Sequence, residues 1–344
     1  MDIYSKVAGC LMGGAIGDAL GYPIEFLNYN EINNQSGGIG LSSRAFEIRI
    51  KWEVSDDTQM TLFTADGMMR ALASKSDKEI DYSEYIWDSY KIWWQTQFGT
   101  YPGWDKPMVI KEDNFYNHIK SIGRYQELCK KRAPGTACVT ALSTGIKGRI
   151  SLPMNNSKGC GAVMRAAPVG IILNKEPQKA FEEGCRMGAI THGNPTGYLA
   201  AGAFSYIIAR LFNGEGLENA AQEALGLLKS HKNSDECIST LKLALELSRS
   251  KPNYLSVGAV GEGWVADEAL AMAVYCALCF PDCYERAVVL AANHSGDSDS
   301  VASICGNIMG LIKGLEALPQ RAINRIDVKD IVLGVSQEIS ERIS

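Results

Sequence analysis

The chain has 344 residues, 46% of them hydrophobic and 21% charged, with 34 glycines and a formal net charge of −5. This composition excludes a disordered chain, and the glycines carry no three-residue period, which excludes a collagen-like one. A negative charge without any basic block argues against a sequence-independent grip on nucleic acid.

The chain opens on Met1-Asp2-Ile3-Tyr4-Ser5-Lys6, which lacks the basic start of a signal peptide. No apolar run is expected to approach the roughly 18 residues of a membrane span. A cytoplasmic protein with no membrane partner is therefore expected. Apolar residues recur with a helical period over 5–21, 58–73, 82–98, 178–190, 197–212, 217–230, 237–249, 265–279, 283–293 and 300–316. Strand patterns are confined to weak candidates near 46–54 and 168–173. The expectation is an all-α protein forming one domain over 1–344, with a loop-rich elaboration at about 98–135. The ten cysteines form no dense framework and are expected to be reduced and mostly buried. Cys276, Cys279 and Cys283 lack a second ligand pair at zinc spacing.

Two glycine stripes stand out. Gly9, Gly13, Gly17 and Gly21 fall at every fourth residue, as do Gly306, Gly310 and Gly314. Each stripe lies on one helix face. Glycine costs about 1 kcal/mol against alanine inside a helix, so a compensating gain is needed. Close backbone approach between these two helices would supply it.

Two acidic segments each open a helix: Ser55-Asp56-Asp57-Thr58 and Gly296-Asp297-Ser298-Asp299-Ser300. Either one alone reads as an N-cap with acids at the positive helix end. Together they offer more carboxylates than capping requires. Converging carboxylates repel unless a cation neutralises them, and an oxygen-only donor set suits magnesium, manganese or calcium. The charge supports two ions better than one.

These blocks occur in an order that resembles the ADP-ribosylglycohydrolase family along nearly the whole chain. It begins with Gly13-Gly14-Ala15-Ile16-Gly17-Asp18-Ala19-Leu20-Gly21, then Pro23 and Glu25, then Ser55-Asp56-Asp57-Thr58. Lys158-Gly159-Cys160-Gly161-Ala162-Val163-Met164-Arg165 and Thr191-His192-Gly193-Asn194-Pro195 follow. Gly261-Glu262-Gly263-Trp264 and the last acidic segment complete it.

The resemblance implies an orthogonal helical bundle with a binuclear metal site in a cleft. The implied cofactors are two Mg2+, with Mn2+ as the alternative. The implied metal ligands are Ser55, Asp56, Asp57, Asp297, Asp299 and Ser300. The implied catalytic carboxylates are Asp56, Asp57, Glu25 and Asp299. Substrate contacts are expected from Gly159, Cys160, Gly161, Met164, His192, Gly263 and Trp264. His192 reads equally as a structural hydrogen-bonding group, and His294 as a structural neighbour of the site. Trp264 would stack on adenine, although core burial is the commoner fate of a tryptophan.

The implied activity is release of ADP-ribose from a mono-ADP-ribosylated protein, most often from arginine, by a water activated between two metals. Expected partners are the modified protein and ADP-ribose, acting on a monomer. The competing readings are a silent ADP-ribose-binding or immunity protein of the same fold, or a hydrolase of another ribosyl or O-linked ADP-ribose compound. The sequence departs from the family at Cys160, where many members have asparagine, and at Ser300, where many have threonine. It also lacks an acid in 132–136 that some arginine-directed members carry. Trp93 to Gln97 and the loop to Gly135 are expected to shape acceptor choice.

Overall fold

A computed structural model of the chain describes residues 1–38, 40–74, 80–103 and 122–344. Among these residues the secondary structure is helical, and the only β pairings are isolated bridges. The α-helices in chain order are α1 (Ile3–Gly21), α2 (Tyr29–Gln35), α3 (Arg44–Ile48), α4 (Asp56–Ala73), α5 (Tyr82–Phe98), α6 (Thr136–Ser143), α7 (Ala167–Ile172), α8 (Pro177–Ala189) and α9 (Pro195–Phe212). They continue as α10 (Leu217–Leu228), α11 (Asp235–Leu247), α12 (Tyr254–Val260), α13 (Ala266–Cys279), α14 (Tyr284–Ala292), α15 (Ser298–Lys313), α16 (Gln320–Ile323) and α17 (Lys329–Ile343). One continuous set of buried side chains runs from Val7 to Ile343, so the first and last helices share a core.

The ten helices read from apolar periodicity are all present, each within two residues at either end except that expected over 300–316, which ends three residues early at Lys313. The strand candidates are not strands. Residues 44–48 form α3, and the chain beyond it makes a single bridge between Trp52 and Ile326. Residues 167–172 form α7, all six of them buried, with Pro168 placed in its first turn. A fully buried helix shows no apolar face, so a short apolar run reads equally as a strand. Helix α17 was not anticipated, although Ile331, Val332, Val335, Ile339 and Ile343 line one buried face.

Helix α1 is apolar all round because it is enclosed by α15, α14, α17 and α4. Contrary to the sequence expectation, Ile3–Ile24 is long and apolar enough to cross a bilayer; 89% of its most apolar window is buried inside the fold, as in a core helix.

The glycine stripes meet. A Cβ on Gly9 would fall on the carbonyl oxygen of Gly310, and one on Gly13 on that of Gly306. Gly17 faces the Ala302 carbonyl in the same way, and Gly21 the backbone of Ser298 and Asp299. The crossing is tied by Asn307, whose Nδ2 donates to the Cys10 carbonyl at 2.8 Å, and by Tyr284, whose hydroxyl donates to the Gly13 carbonyl at 2.6 Å. The C-terminal end of α1 is thereby pressed against the N-terminal end of α15.

All ten cysteines are free, and Cys10, Cys138, Cys185, Cys237, Cys276 and Cys305 are buried.

Candidate metal centre

The start of α4 is held from three sides. Ser55 caps the helix, its hydroxyl accepting from the Asp57 N–H at 3.1 Å. Asp18, fully buried in α1, accepts from the Ser55 N–H at 2.9 Å and from the Thr58 N–H at 3.1 Å, and also from the Thr58 hydroxyl. On the far side, the segment 132–135 grips Asp56. The Asp56 N–H donates to the Arg132 carbonyl at 3.0 Å, and the Gly135 N–H donates to Asp56 Oδ2 at 3.0 Å. Ala133 adopts φ 49° to make this reversal, a backbone conformation that a non-glycine residue adopts only at a cost. Arg132 is itself buried, donating to the Val54 carbonyl at 2.8 Å and pairing with Asp327 at 2.6 Å.

The start of α15 is built differently. Asp297 is its N-cap, accepting from the Ser300 N–H at 3.1 Å, while its own N–H donates to the Glu262 carbonyl at 2.9 Å. The preceding Gly296 has φ 120°, and a Cβ there would collide with the Glu262 backbone. Asp299 accepts from the Ser300 N–H at 3.0 Å. Cys160 reaches in from the loop before α7 and donates its thiol to Asp297 Oδ2 at 2.7 Å.

The two starts face each other. Carboxylate oxygens of Glu25, Asp297 and Asp299 lie within 4.8 Å of one another. Burial and the carboxylates of Asp297, Asp56 and Asp18 raise the Glu25 pKa to about 8. Burial is also the main cause for Asp56, raised to about 7, and for Asp18, raised to about 6 against its hydrogen bonds. Asp57 and Asp299 are held well above the usual carboxylate range, first by burial and then by the neighbouring acids. Among the described residues no ion pair reaches any of these acids or Asp297. Asp57 Oδ2 is buried without a hydrogen-bond partner. A buried, unpaired carboxylate oxygen beside other acids is costly unless a cation meets it. The donors are carboxylates and hydroxyls, the set that hard divalent cations prefer. The residues therefore fit a metal centre.

Of the sequence-derived substrate residues, the loop 159–161 and Gly263–Trp264 lie beside these acids, whereas Met164 and His192 are buried behind the loop, against the expectation that they contact substrate. Gly159 bridges Val265, and the Cys160 N–H donates to the Trp264 carbonyl at 3.1 Å, joining that loop to Gly263 and Trp264. Gly263, at φ 84°, packs against Asp297 and Val301. Trp264 is 37% exposed and stacks on exposed Phe26, ring centroids 5.7 Å apart, next to Glu25. Met164 is buried beneath the loop, its carbonyl accepting from the Thr61 hydroxyl at 3.3 Å. His192 is buried behind Gly159 and Gly161, bonded to Thr191 through Nδ1 at 2.9 Å. Burial and nearby Arg165 lower its pKa to about 3, which keeps the ring neutral. His294 is buried next to the α15 start, with Nδ1 on the Ser295 carbonyl at 2.9 Å.

Two positions with organising roles were missed in the sequence: Asp18, noted only as part of a motif, and Arg132, noted only for the acid its segment lacks. The signal for Asp18 was an acid in an otherwise apolar helix. The signal for Arg132 was weaker, since its partner Asp327 lies 195 residues away. Trp93 is buried and donates to Gln59 of α4 at 3.2 Å, and Gln59 in turn donates to the Lys130 carbonyl at 2.9 Å. Of the loop expected to govern acceptor choice, 104–121 lie outside the described residues.

Comparison with known proteins agrees with this architecture. The ADP-ribosylglycohydrolase family model matches residues 1–343. The ADP-ribosyl-[dinitrogen reductase] glycohydrolase of Rhodospirillum rubrum is 20% identical over 95% of this chain and 92% of its own length. The ADP-ribosylarginine hydrolase Tri1 of Pseudomonas putida (strain GB-1) is 24% identical over 98% of this chain and 78% of its own. A solved ADP-ribosylglycohydrolase-related protein complex superposes with a TM-score of 0.66 at 18% identity, covering 100% of this chain and 99% of that one.

Proposed function

The chain belongs to the ADP-ribosylglycohydrolase family, and from that premise we propose that it is a metal-dependent hydrolase releasing ADP-ribose from ADP-ribosylated protein, with the N-glycosidic bond to arginine as the leading linkage. The observation that carries the reading is the convergence of Glu25, Asp297 and Asp299, whose carboxylate oxygens lie within 4.8 Å of one another, with the α4 start near them through Asp57. The linkage draws on relatives described as an ADP-ribosylarginine hydrolase and an ADP-ribosyl-[dinitrogen reductase] glycohydrolase.

In this reading Ser55, Asp56, Asp57, Asp297, Asp299 and Ser300 hold two Mg2+ or Mn2+, with Glu25 beside them. When bound, the cations neutralise the acidic cluster and fix the vicinal hydroxyls of the distal ribose. Glu25, half-buried beside these acids, takes the proton from the attacking water. The remaining carboxylates face the developing positive charge on the anomeric carbon. The loop from Gly159 to Gly161, held beside Asp297 by the Cys160 thiol, is the segment proposed to lie along the diphosphate. Trp264 and Phe26 offer an aromatic surface for the base. Asp18, Arg132 and Gly135 touch none of the reacting atoms and act by fixing Asp56 and its neighbours.

The test is incubation with arginine-linked and serine-linked ADP-ribosylated proteins, with Mg2+ or with EDTA. Free ADP-ribose should appear only with metal, and Asp56→Ala or Asp299→Ala should lower turnover by about 10³ or more. Turnover indifferent to EDTA and to both substitutions would reject the metal mechanism. Metal binding without turnover of any ADP-ribosyl substrate would leave a binding protein.

A further inference from the structure

Behind the loop 159–161 lies a cation that takes no part in the proposed chemistry. Arg165, just before α7, is completely buried. Among the described residues no carboxylate pairs with it. Its guanidinium meets the sulfurs of Met187 at 3.4 Å, Met60 at 3.2 Å and Cys138 at 3.2 Å, and lies 4.5 Å from the centre of the Tyr90 ring. Its Nη2 donates to the Thr191 hydroxyl at 2.5 Å. A buried charge without an anion is costly, so a neutral chain of the same length would fill this space of sulfurs and ring more cheaply. What a neutral chain would lack is the directed bond to the Thr191 oxygen.

That oxygen also bonds His192 Nδ1 at 2.9 Å. The other edge of the His192 ring rests against the loop: a Cβ on Gly159 would stand 3.4 Å from Nε2, and one on Gly161 would stand 3.1 Å from Cε1. Between the two glycines, Cys160 donates to Asp297 Oδ2 at 2.7 Å. We propose that Arg165 is a positioning residue, which through Thr191 and His192 holds the loop 159–161 in place beside Asp297. This rests on the functional reading above and adds to it a residue that acts on substrate affinity without touching substrate. The backbone around Thr191 is held separately, since Asn155 donates to the Thr191 carbonyl at 2.8 Å and accepts from the Gly193 N–H at 3.1 Å. A change in the Thr191 side chain therefore breaks the relay and leaves that turn tied.

The experiment measures ADP-ribose affinity by calorimetry on the full-length protein in Mn2+, and Mn2+ affinity separately. Thr191→Val keeps the shape and removes the hydroxyl, Thr191→Ser keeps the hydroxyl, and Arg165→Met keeps the length and removes the donors. Thr191→Val should weaken ADP-ribose binding about tenfold or more while Mn2+ affinity is retained, because a small misplacement of a binding segment costs affinity for what it binds. Thr191→Ser should restore binding. Adding Thr191→Val to Arg165→Met should cause no further loss, since both break one chain of contacts. If Arg165→Met fails to fold, the valine and serine variants decide the matter alone. ADP-ribose affinity unchanged by Thr191→Val, or lost in step with Mn2+ affinity, would overturn this inference alone. Failure of the unaltered chain to bind ADP-ribose would overturn the functional reading and this inference with it.

Discussion

The two acidic helix starts resemble each other in sequence and differ in how the fold holds them. The α4 start is braced by other parts of the chain: Asp18 from α1, and the Arg132 segment tied to Asp327 near the C-terminus. The α15 start is held mostly by its own turn, with Asp297 and Asp299 both accepting from the Ser300 N–H, plus the Glu262 carbonyl and the Cys160 thiol. One start is clamped from outside, and the other is docked as a unit. Helix α1 joins them, carrying Asp18 beneath α4 and pressing Gly21 against the backbone of α15. Two capping-like motifs become one site because a third helix fixes their separation.

The largest expected effect comes from breaking that link. Gly13→Leu or Gly310→Leu puts a side chain where the opposing helix has a carbonyl oxygen, with no flexible group to yield. Overpacking there should destabilise the protein by on the order of 3 kcal/mol or more. Chemical denaturation would report it, and an unchanged midpoint in both variants would remove α1 from the account.

A smaller effect should separate the two starts. Arg132→Ala removes the donor to the Val54 carbonyl and the partner of Asp327, and loosens the segment that grips Asp56. Groups that orient metal ligands from behind are typically worth tenfold or more in affinity. Mn2+ affinity should therefore fall about tenfold while the helical content stays intact. An unaltered affinity would mean that the α4 start needs no outside brace and that the two starts are equivalent.

Much of this was legible in the sequence, for identifiable reasons. The glycine stripes obey a four-residue period, which a helix converts into a face, so the crossing of α1 and α15 could be anticipated. The acid-rich starts could be set side by side because each places carboxylates at the opening of a helix. The buried helix α7 was misread because a helix enclosed on every side loses its periodic signal. The apolar length of α1 was underestimated, because a helix enclosed by its neighbours is apolar on every face. The Arg132 clamp was hidden because it depends on a partner 195 residues away and on the φ of 49° at Ala133. Cys160 was visible only as a departure from the family, and its contact with Asp297 required the fold.

The central claim is that both starts form a single carboxylate cluster that a divalent cation neutralises. The most direct test is the melting temperature of the metal-free protein from pH 5 to pH 8, with and without Mn2+. Burial, joined at Asp56 and Glu25 by the neighbouring acids, raises the pKa values of Asp18, Asp56 and Glu25 in the fold to about 6, about 7 and about 8. These values lie above those of the unfolded chain, so the stability each contributes is fully present below about pH 4 and is lost as the pH rises through the folded values. The metal-free melting temperature should fall from pH 5 to pH 8 by on the order of several degrees, and Mn2+ should recover most of that loss at pH 8. A melting temperature that is flat or rising over this range and does not respond to Mn2+ would contradict the account.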